Sequence, residues 1–462
     1  MLNYVERLFV IMLIACVAFA PLPLGSNRPV SWSLLSLFIA GLLCVWALTA
    51  AFRPTLFRLS GPPAVIPVIG WMLIVGWMLL QTTGPEFMWH PLWSTTSVAL
   101  NEPDIRGAIA VSPSDAATAA MRLLCYGAIF WLAAQTGREP ENAAIYLYAI
   151  VVIGTVYALY GLIAELSGGD TIVGIEQRAY QDSLTSTFVN RNSFATFAGL
   201  AAVAAFGMLA RTFHTESDTR SDRPRPVIRP PSRFGLSSVL LATALAILLL
   251  ALLLTKSRAG LFSTGAGLAV VAWAWFYRRG RLPGLPVLAG GAVIATVLVL
   301  FAAGGGTFER KAEVDGESLG GRPWLFQRTF SAIADEPLTG HGGGSFESYF
   351  QSYKNADFGG VYAISKAHNS YLEFAADAGI PALILLLVLY AGVLLACFRG
   401  IRARQQDAGY PGIALAAGAL VGLHALVDFS VQIPAVACLF ALLLGVGYSQ
   451  AFPTGGGRHN RL

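Results

Sequence analysis

Long uninterrupted apolar runs alternate with short polar segments along almost the whole chain. A helix crosses a bilayer with about 20 apolar residues, and runs near that length predict twelve spans: 7–24, 31–52, 63–81, 116–135, 143–165, 188–210, 236–255, 260–277, 284–303, 379–398, 411–431 and 433–452. Ala18, Phe19 and Ala20 mimic a signal-peptide cleavage site. Pro21 follows directly and would hinder cutting, so the first run is read as a membrane helix.

Composition agrees with the pattern. Of 462 residues, 55% are hydrophobic and 12% charged, about half the usual charged share of a soluble domain. A soluble enzyme, a secreted disulfide scaffold and a disordered chain are thereby excluded. The five cysteines all fall in apolar runs with no CxxC pair, so they read as small buried hydrophobes rather than zinc ligands or a redox couple. The six histidines show no metal spacing.

Lys and Arg placement orients the chain. With the N-terminus inside, the inward segments carry 18 of the 31 basic residues and only 7 of the 26 acidic ones. Both termini are then cytoplasmic. Because the basic residues are spread over several loops, the net charge of +5 is a topology signal and not a nucleic-acid footprint. The expected organisation is a membrane part over 1–303 (spans one to nine), a large periplasmic loop over 304–378, and a second membrane part over 379–462. Residues 211–235, rich in Pro, Arg, Ser and Asp, read as a disordered cytoplasmic linker.

Two outward segments stand out. The first, 82–115, carries Trp89, His90 and Trp93, aromatics suited to the membrane interface. The second is the large loop, and a loop of that length is uncommon without a function. Pro323 suits the first turn of a helix. Phe326, Phe330, Ile333 and Ala334 then recur at helical period, and Glu336 with Pro337 ends the run. Gly340, Gly342, Gly343 and Gly344 read as a flexible hinge, after which Phe346, Phe350 and Tyr353 resume the period.

Several basic residues sit outward, against the positive-inside bias. Arg191 lies in the segment Thr187, Phe188, Val189, Asn190, Arg191, Asn192; Lys256 and Arg258 occupy the turn between spans seven and eight; Arg322 opens the helix of the large loop. A single such arginine ordinarily snorkels to a headgroup. Several at one outer mouth suit a lipid diphosphate, because guanidinium forks match its oxygens and stabilise charge as it leaves. The segment Ala367, His368, Asn369, Ser370, Tyr371, Leu372, Glu373 leads into span ten. An imidazole titrating near about 6.5 suits proton abstraction, which makes His368 the candidate base. Asn369 and Glu373 share a helical face, and Glu373 there can orient a neighbour or bind a sugar hydroxyl. His424 and Asp428 sit four apart in span eleven. Such a pair can relay protons, but interhelical packing is the plainer reading. Neither a phosphate-binding GxxxxGK[ST] loop nor an acidic metal cluster is present.

These motifs, in this order, resemble the bacterial O-antigen ligase and polysaccharide polymerase superfamily. The matching stretches are Thr187 to Asn192, Ser257 to Gly260, Gly321 with Arg322, Pro337 to Phe346, His368 to Glu373, and His424 to Phe429 with Gln432 to Pro434. The resemblance implies an all-α integral membrane protein of about twelve transmembrane helices, with a large helical periplasmic loop before the tenth. It implies a metal-independent, inverting glycosyltransferase of the bacterial inner membrane, needing no cofactor and no nucleic acid. The donor would be an undecaprenyl-diphosphate-linked glycan and the acceptor lipid A–core or another glycan. Carried over residue by residue, Arg258 and Arg322 would bind the donor diphosphate and His368 would activate the acceptor hydroxyl. Arg191 is added from its outer position alone. His341 departs from the family's usual small or apolar residue and receives no role. Ligation and repeat-unit polymerisation remain open at this point. A lipid-linked glycan transporter is the reading from another class, disfavoured because the charges gather at the outer edge rather than the midplane, with only Arg122 and Asp428 read as deeper.

Overall fold

The computed structural model describes residues 2–168, 171–172, 174–176, 180–212, 214–217, 226–229, 235–277, 321–354, 364–403 and 409–453. Its elements are helical: α1 (Leu2–Phe19), α2 (Pro29–Phe52), α3 (Pro62–Gln81), α4 (Pro91–Leu100), α5 (Pro113–Thr136), α6 (Pro140–Leu166), α7 (Arg191–Thr212), α8 (Leu236–Leu254) and α9 (Arg258–Tyr277). The later ones are α10 (Gly321–Asp335), α11 (Ser370–Ala378), α12 (Ile380–Ala403), α13 (Gly409–His424) and α14 (Pro434–Gln450). Helices α2 to α6 and α14 each open on a proline in the first turn, where a missing N–H leaves no hydrogen bond unmade. Two short antiparallel ribbons complete the described chain: Thr171–Ile172 with Ile175–Glu176, and His214–Ser217 with Pro226–Arg229.

Eight helices, α2, α3, α5 to α9 and α12, are long and apolar enough to cross a membrane. Helices α13 and α14 are apolar but shorter, with 16 and 17 residues. The expected span 284–303 lies outside the described residues. The expected span 411–431 is corrected: its helix stops at His424, and the chain then runs through a turn and the 3-10 turn Ser430–Gln432 before α14. Asp428 is therefore not one helical turn beyond His424 on the same helix, but sits in the turn.

The core centres on α7, whose residues from Ser193 to Ala205 are buried on every side. Its sequence is rich in Ala and Gly, and small residues let helices approach closely without any hydrophobic drive from lipid. A methyl group on Gly207 would come within 2.2 Å of Ile413, so α7 and α13 touch there backbone to side chain. Helix α14 is buried along its whole length as well.

One end of the bundle carries a clamp of arginines. Gln135 accepts from the backbone N–H groups of Arg58 and Leu59 at 2.9 and 3.0 Å. Arg58 reaches Glu6 at 2.9 Å and Glu139 at 3.2 Å. Arg138 donates to the carbonyls of Ser449, Phe452 and Pro453 at the end of α14. This end gathers residues that the positive-inside pattern assigns to one side.

At the other end the 321–380 segment packs on the 82–115 segment. Gln81, fully buried, donates to the carbonyls of Thr339 (2.7 Å) and Asp377 (3.0 Å) and accepts from the N–H of Gly343 (3.0 Å). In α10 the buried face is Leu325, Thr329, Ala332 and Ile333, whereas Phe330 is 58% exposed. The expected face of Phe326, Phe330, Ile333 and Ala334 is thus rotated by about one residue, because α10 packs on the alanines 375 and 376 of α11. The glycine run is not a hinge. His341 and Gly342 donate to the carbonyls of Ala376 and Asp377, both at 2.8 Å, and Ile380 donates to Pro337.

Gly340 has φ of +66° and a methyl group there would lie 2.4 Å from the carbonyl oxygen of Asp377. Gly340→Ala is therefore expected to destabilise the protein by more than about 1 kcal/mol, read as a lower midpoint of thermal unfolding in detergent. An unchanged midpoint would show that this crossing tolerates separation.

Candidate functional site

The motifs singled out in the sequence each stand at the start of a helix. Arg191 begins α7, Arg258 begins α9, Arg322 follows Gly321 in the first turn of α10, and His368 immediately precedes the cap of α11. Helix N-termini present unpaired N–H groups and a positive dipole end, so each start favours an anion.

A hydrogen-bonded network ties these starts together. Asp428, 0% exposed, accepts from Asn192 Nδ2 at 2.7 Å, from Ser430 N at 2.8 Å and from the Ser430 hydroxyl. Asn192 accepts in turn from the Ser257 hydroxyl at 2.8 Å. Ser370 donates its hydroxyl to the Asp428 carbonyl at 2.9 Å and its N–H to the Ala425 carbonyl at 2.8 Å. The network thereby joins the neighbours of Arg191, Arg258 and His368. One turn into α7, the Thr196 hydroxyl meets His424 Nδ1 at 2.5 Å. Helix α10 packs Leu325 and Ala332 with Ala375 and Ala376 of α11, so Arg322 belongs to the same end of the bundle.

Arg191 lies over the Tyr180 ring with 5.3 Å to the centroid and reaches the Ser183 hydroxyl at 3.4 Å. The Arg258 and Arg322 side chains are exposed. His368 is half-buried, with its ring edge-to-face against Phe429 at 5.0 Å and 75°. Its φ of +53° is left-handed, a conformation that costs a residue with a side chain roughly 1–2 kcal/mol. The Asn369 side chain accepts from the N–H groups of Tyr371 and Leu372, both at 3.0 Å, so it caps α11 directly after the imidazole.

Glu373 is buried, and both its oxygens are taken: Lys366 Nζ and the Ala367 N–H donate to it, each at 2.9 Å. Lys366 also donates to Gln432 at 2.7 Å. Glu373 therefore pins the two residues before His368. Further along α11, Asp377 accepts from Gly344 N at 2.8 Å and Tyr349 Oη at 3.0 Å. Burial, and then the Glu373 carboxylate, push its own carboxyl up to about 8.

The reading from sequence had weighed charged groups and passed over Asn192, Ser257, Ser370 and Ser430. The available signal was that each of these polar residues adjoins or neighbours a motif residue at the edge of an apolar run. His341 likewise has a clear place. Its Nε2 meets the Ala332 carbonyl at 2.9 Å, its Nδ1 meets His90 Nε2 at 2.8 Å, and its ring stacks on Tyr349 at 4.3 Å. Nδ1 of His90 accepts from the Leu92 N–H at 3.1 Å. Trp89 and Trp93 donate to the carbonyls of Gly84 and Ala110, so these aromatics knit the 82–115 segment together. Among the described residues no group of three or more His, Cys, Asp or Glu is arranged to hold a metal ion.

A bundle of membrane-length helices, with several helix starts and exposed arginines gathered at one end, defines a multi-pass membrane protein. Residues 243–387 match the O-antigen ligase family, a stretch that holds Arg258, Arg322, His368, Asn369 and Glu373. Over that stretch the chain is similar to the O-antigen ligase family. No curated protein matches it.

The two-histidine contact makes a pH prediction. Burial, then the neighbouring His341, push His90 down to about 4; burial likewise lowers His341, against the opposing Asp335 and Glu336. Both rings are depressed, so the unfolded chain binds more protons and stability is lost as pH falls from about 6.5 toward 4. Amide exchange at Val111, whose N–H donates to the His341 carbonyl at 2.8 Å, should quicken across that window after correction for intrinsic rates. His90→Gln should flatten the dependence. Protection equal at both ends of the window would refute the coupling.

Proposed function

We propose that the protein transfers a glycan from undecaprenyl diphosphate to a hydroxyl of lipid A–core at the periplasmic face of the bacterial inner membrane. The observation carrying this reading is the network on Asp428, which holds the starts of α7, α9 and α11 at one end of the bundle. Arg191, Arg258 and Arg322 stand at helix starts there, and three guanidinium groups with helix dipoles suit a diphosphate. The end opposite the arginine clamp is the periplasmic one on the positive-inside pattern.

In this mechanism His368 takes the proton from the acceptor hydroxyl. The oxygen attacks the anomeric carbon from the face opposite the diphosphate, forming the new C–O bond. The bond from carbon to the diphosphate oxygen breaks, and its electron pair leaves with the phosphate. A single displacement inverts the anomeric centre. Charge growing on the leaving group is met by the arginines. Glu373 and Asn369 act through the backbone: the first pins Lys366 and Ala367, the second caps α11, and between them they fix the imidazole. The same chemistry with another lipid-linked repeat unit as acceptor would be polymerisation.

His368→Ala should lower transfer by roughly the 10²–10⁴-fold that a general base contributes, with the protein still present in the membrane. Full activity in that variant would remove His368 from the mechanism. Arg258→Lys keeps the charge and loses the bidentate fork, so it should weaken binding of undecaprenyl diphosphate; an unaltered affinity would count against the diphosphate role. Surface glycans of a deletion strain decide the acceptor. Undecorated core beside normal-length polymer marks a ligase, whereas core bearing a single repeat marks a polymerase and overturns the lipid A–core assignment.

A further inference from the structure

A cavity that reaches from α11 along the bundle toward the clamp end has a wall on α5 that the mechanism above does not use. It lies beneath α11, between α3, α5, α12 and α14, and its volume of about 570 Å³ is within the size range of small-ligand pockets. Trp71, Met78, Leu386, Tyr390 and Phe440 are among the side chains that give it an apolar wall. Lys366, Glu373 and Gln432 line it too, but these three are already bonded to one another.

Two polar groups on its wall are not satisfied. Arg122 Nε and Tyr126 Oη are both buried and, among the described residues, have no hydrogen-bond partner. They lie four apart on α5 and so project from one face of it. Among the described residues no carboxylate pairs with Arg122. Its guanidinium lies over the Trp32 ring, 5.2 Å from the centroid. Trp32 is in the first turn of α2, at the same end of the bundle as the site. That contact sets the guanidinium against α2, with the apolar cavity beside it. A buried guanidinium N–H left unmatched beside apolar walls is costly, and a phosphate oxygen would satisfy it together with the phenol.

We infer that this cavity seats the acceptor's lipid anchor, a phosphate-bearing glycolipid of the lipid A kind, with Arg122 and Tyr126 on a phosphate and acyl chain against the apolar wall. The assignment rests on the transfer reaction proposed above. Charge decides between acceptor and donor. A diphosphate matches the several arginines at the starts of α7, α9 and α10, whereas one guanidinium and one phenol match a phosphate monoester. Helix α11 lies between the two sites. Its Glu373, Phe374 and Asp377 line the cavity, its Ser370 also bonds the Asp428 turn, and His368 precedes it. Two lipids could then approach the imidazole from opposite sides of one short helix.

The test measures binding to the purified full-length protein in detergent by native mass spectrometry. The probes are bisphosphorylated lipid A, the same glycolipid without phosphate, and undecaprenyl diphosphate. Wild-type protein should prefer the phosphorylated lipid A, and Arg122→Gln should lose about tenfold in affinity for it, the loss expected for one charge-assisted hydrogen bond. Tyr126→Phe should weaken it less, and neither variant should alter undecaprenyl diphosphate binding. Equal binding of the two lipid A forms by the wild type overturns the inference, whatever the variants' folding. So does lipid A affinity unchanged in Arg122→Gln. Loss of undecaprenyl diphosphate binding alone would give the cavity to the donor. None of these readouts requires turnover, so they stand apart from the His368→Ala assay.

Discussion

The buried carboxylate of Asp428 is the group on which this end of the protein depends. An ionised carboxylate removed from water survives only with donors on its oxygens. Here the donors come from Asn192 and Ser430, and the backbone oxygen of the same residue receives Ser370. Satisfying this buried carboxyl group thus requires that α7, the turn after α13, and α11 stand in a single arrangement. The link from Asn192 to Ser257 adds α9. Two segments that carry candidate arginines are held in register by neutral side chains beside them.

The imidazole is held differently from the histidines of hydrolase triads, where a carboxylate contacts the ring. Glu373 here acts on the preceding backbone and Asn369 on the following turn, while Phe429 supports the ring itself. The left-handed backbone at His368 is the cost of turning the chain sharply from the Lys366 segment into α11. Position is set by the peptide, leaving the ring nitrogens out of the Glu373 contacts.

Much of this was legible in the sequence. Apolar runs placed most of the helices because a bilayer-length run admits few other structures, and the site motifs showed themselves as polar breaks at run ends. The misreadings have physical causes. Val427, Phe429, Val431 and Ile433 keep the hydropathy high past His424, so the run reads as continuous helix although Asp428 organises a turn within it. In α10 the large aromatics dominate the pattern, yet Thr329 and Ala332 are buried because Ala375 and Ala376 permit a close approach. The glycine run looked mobile because sequence shows φ freedom and not the backbone of α11 that uses it. The unmatched Nε of Arg122 could not be read at all, since it depends on which of the described groups fail to come near.

The shortness of α13 has a consequence for where a substrate must travel. At 1.5 Å per residue its 16 residues extend about 24 Å, less than the roughly 30 Å of a typical hydrocarbon layer. The turn around Asp428 nevertheless meets the first turns of the longer helices α7 and α9 at one level. On the proposed reaction, an isoprenoid carrier would present its phosphates to that turn with its tail still among the helices' apolar flanks.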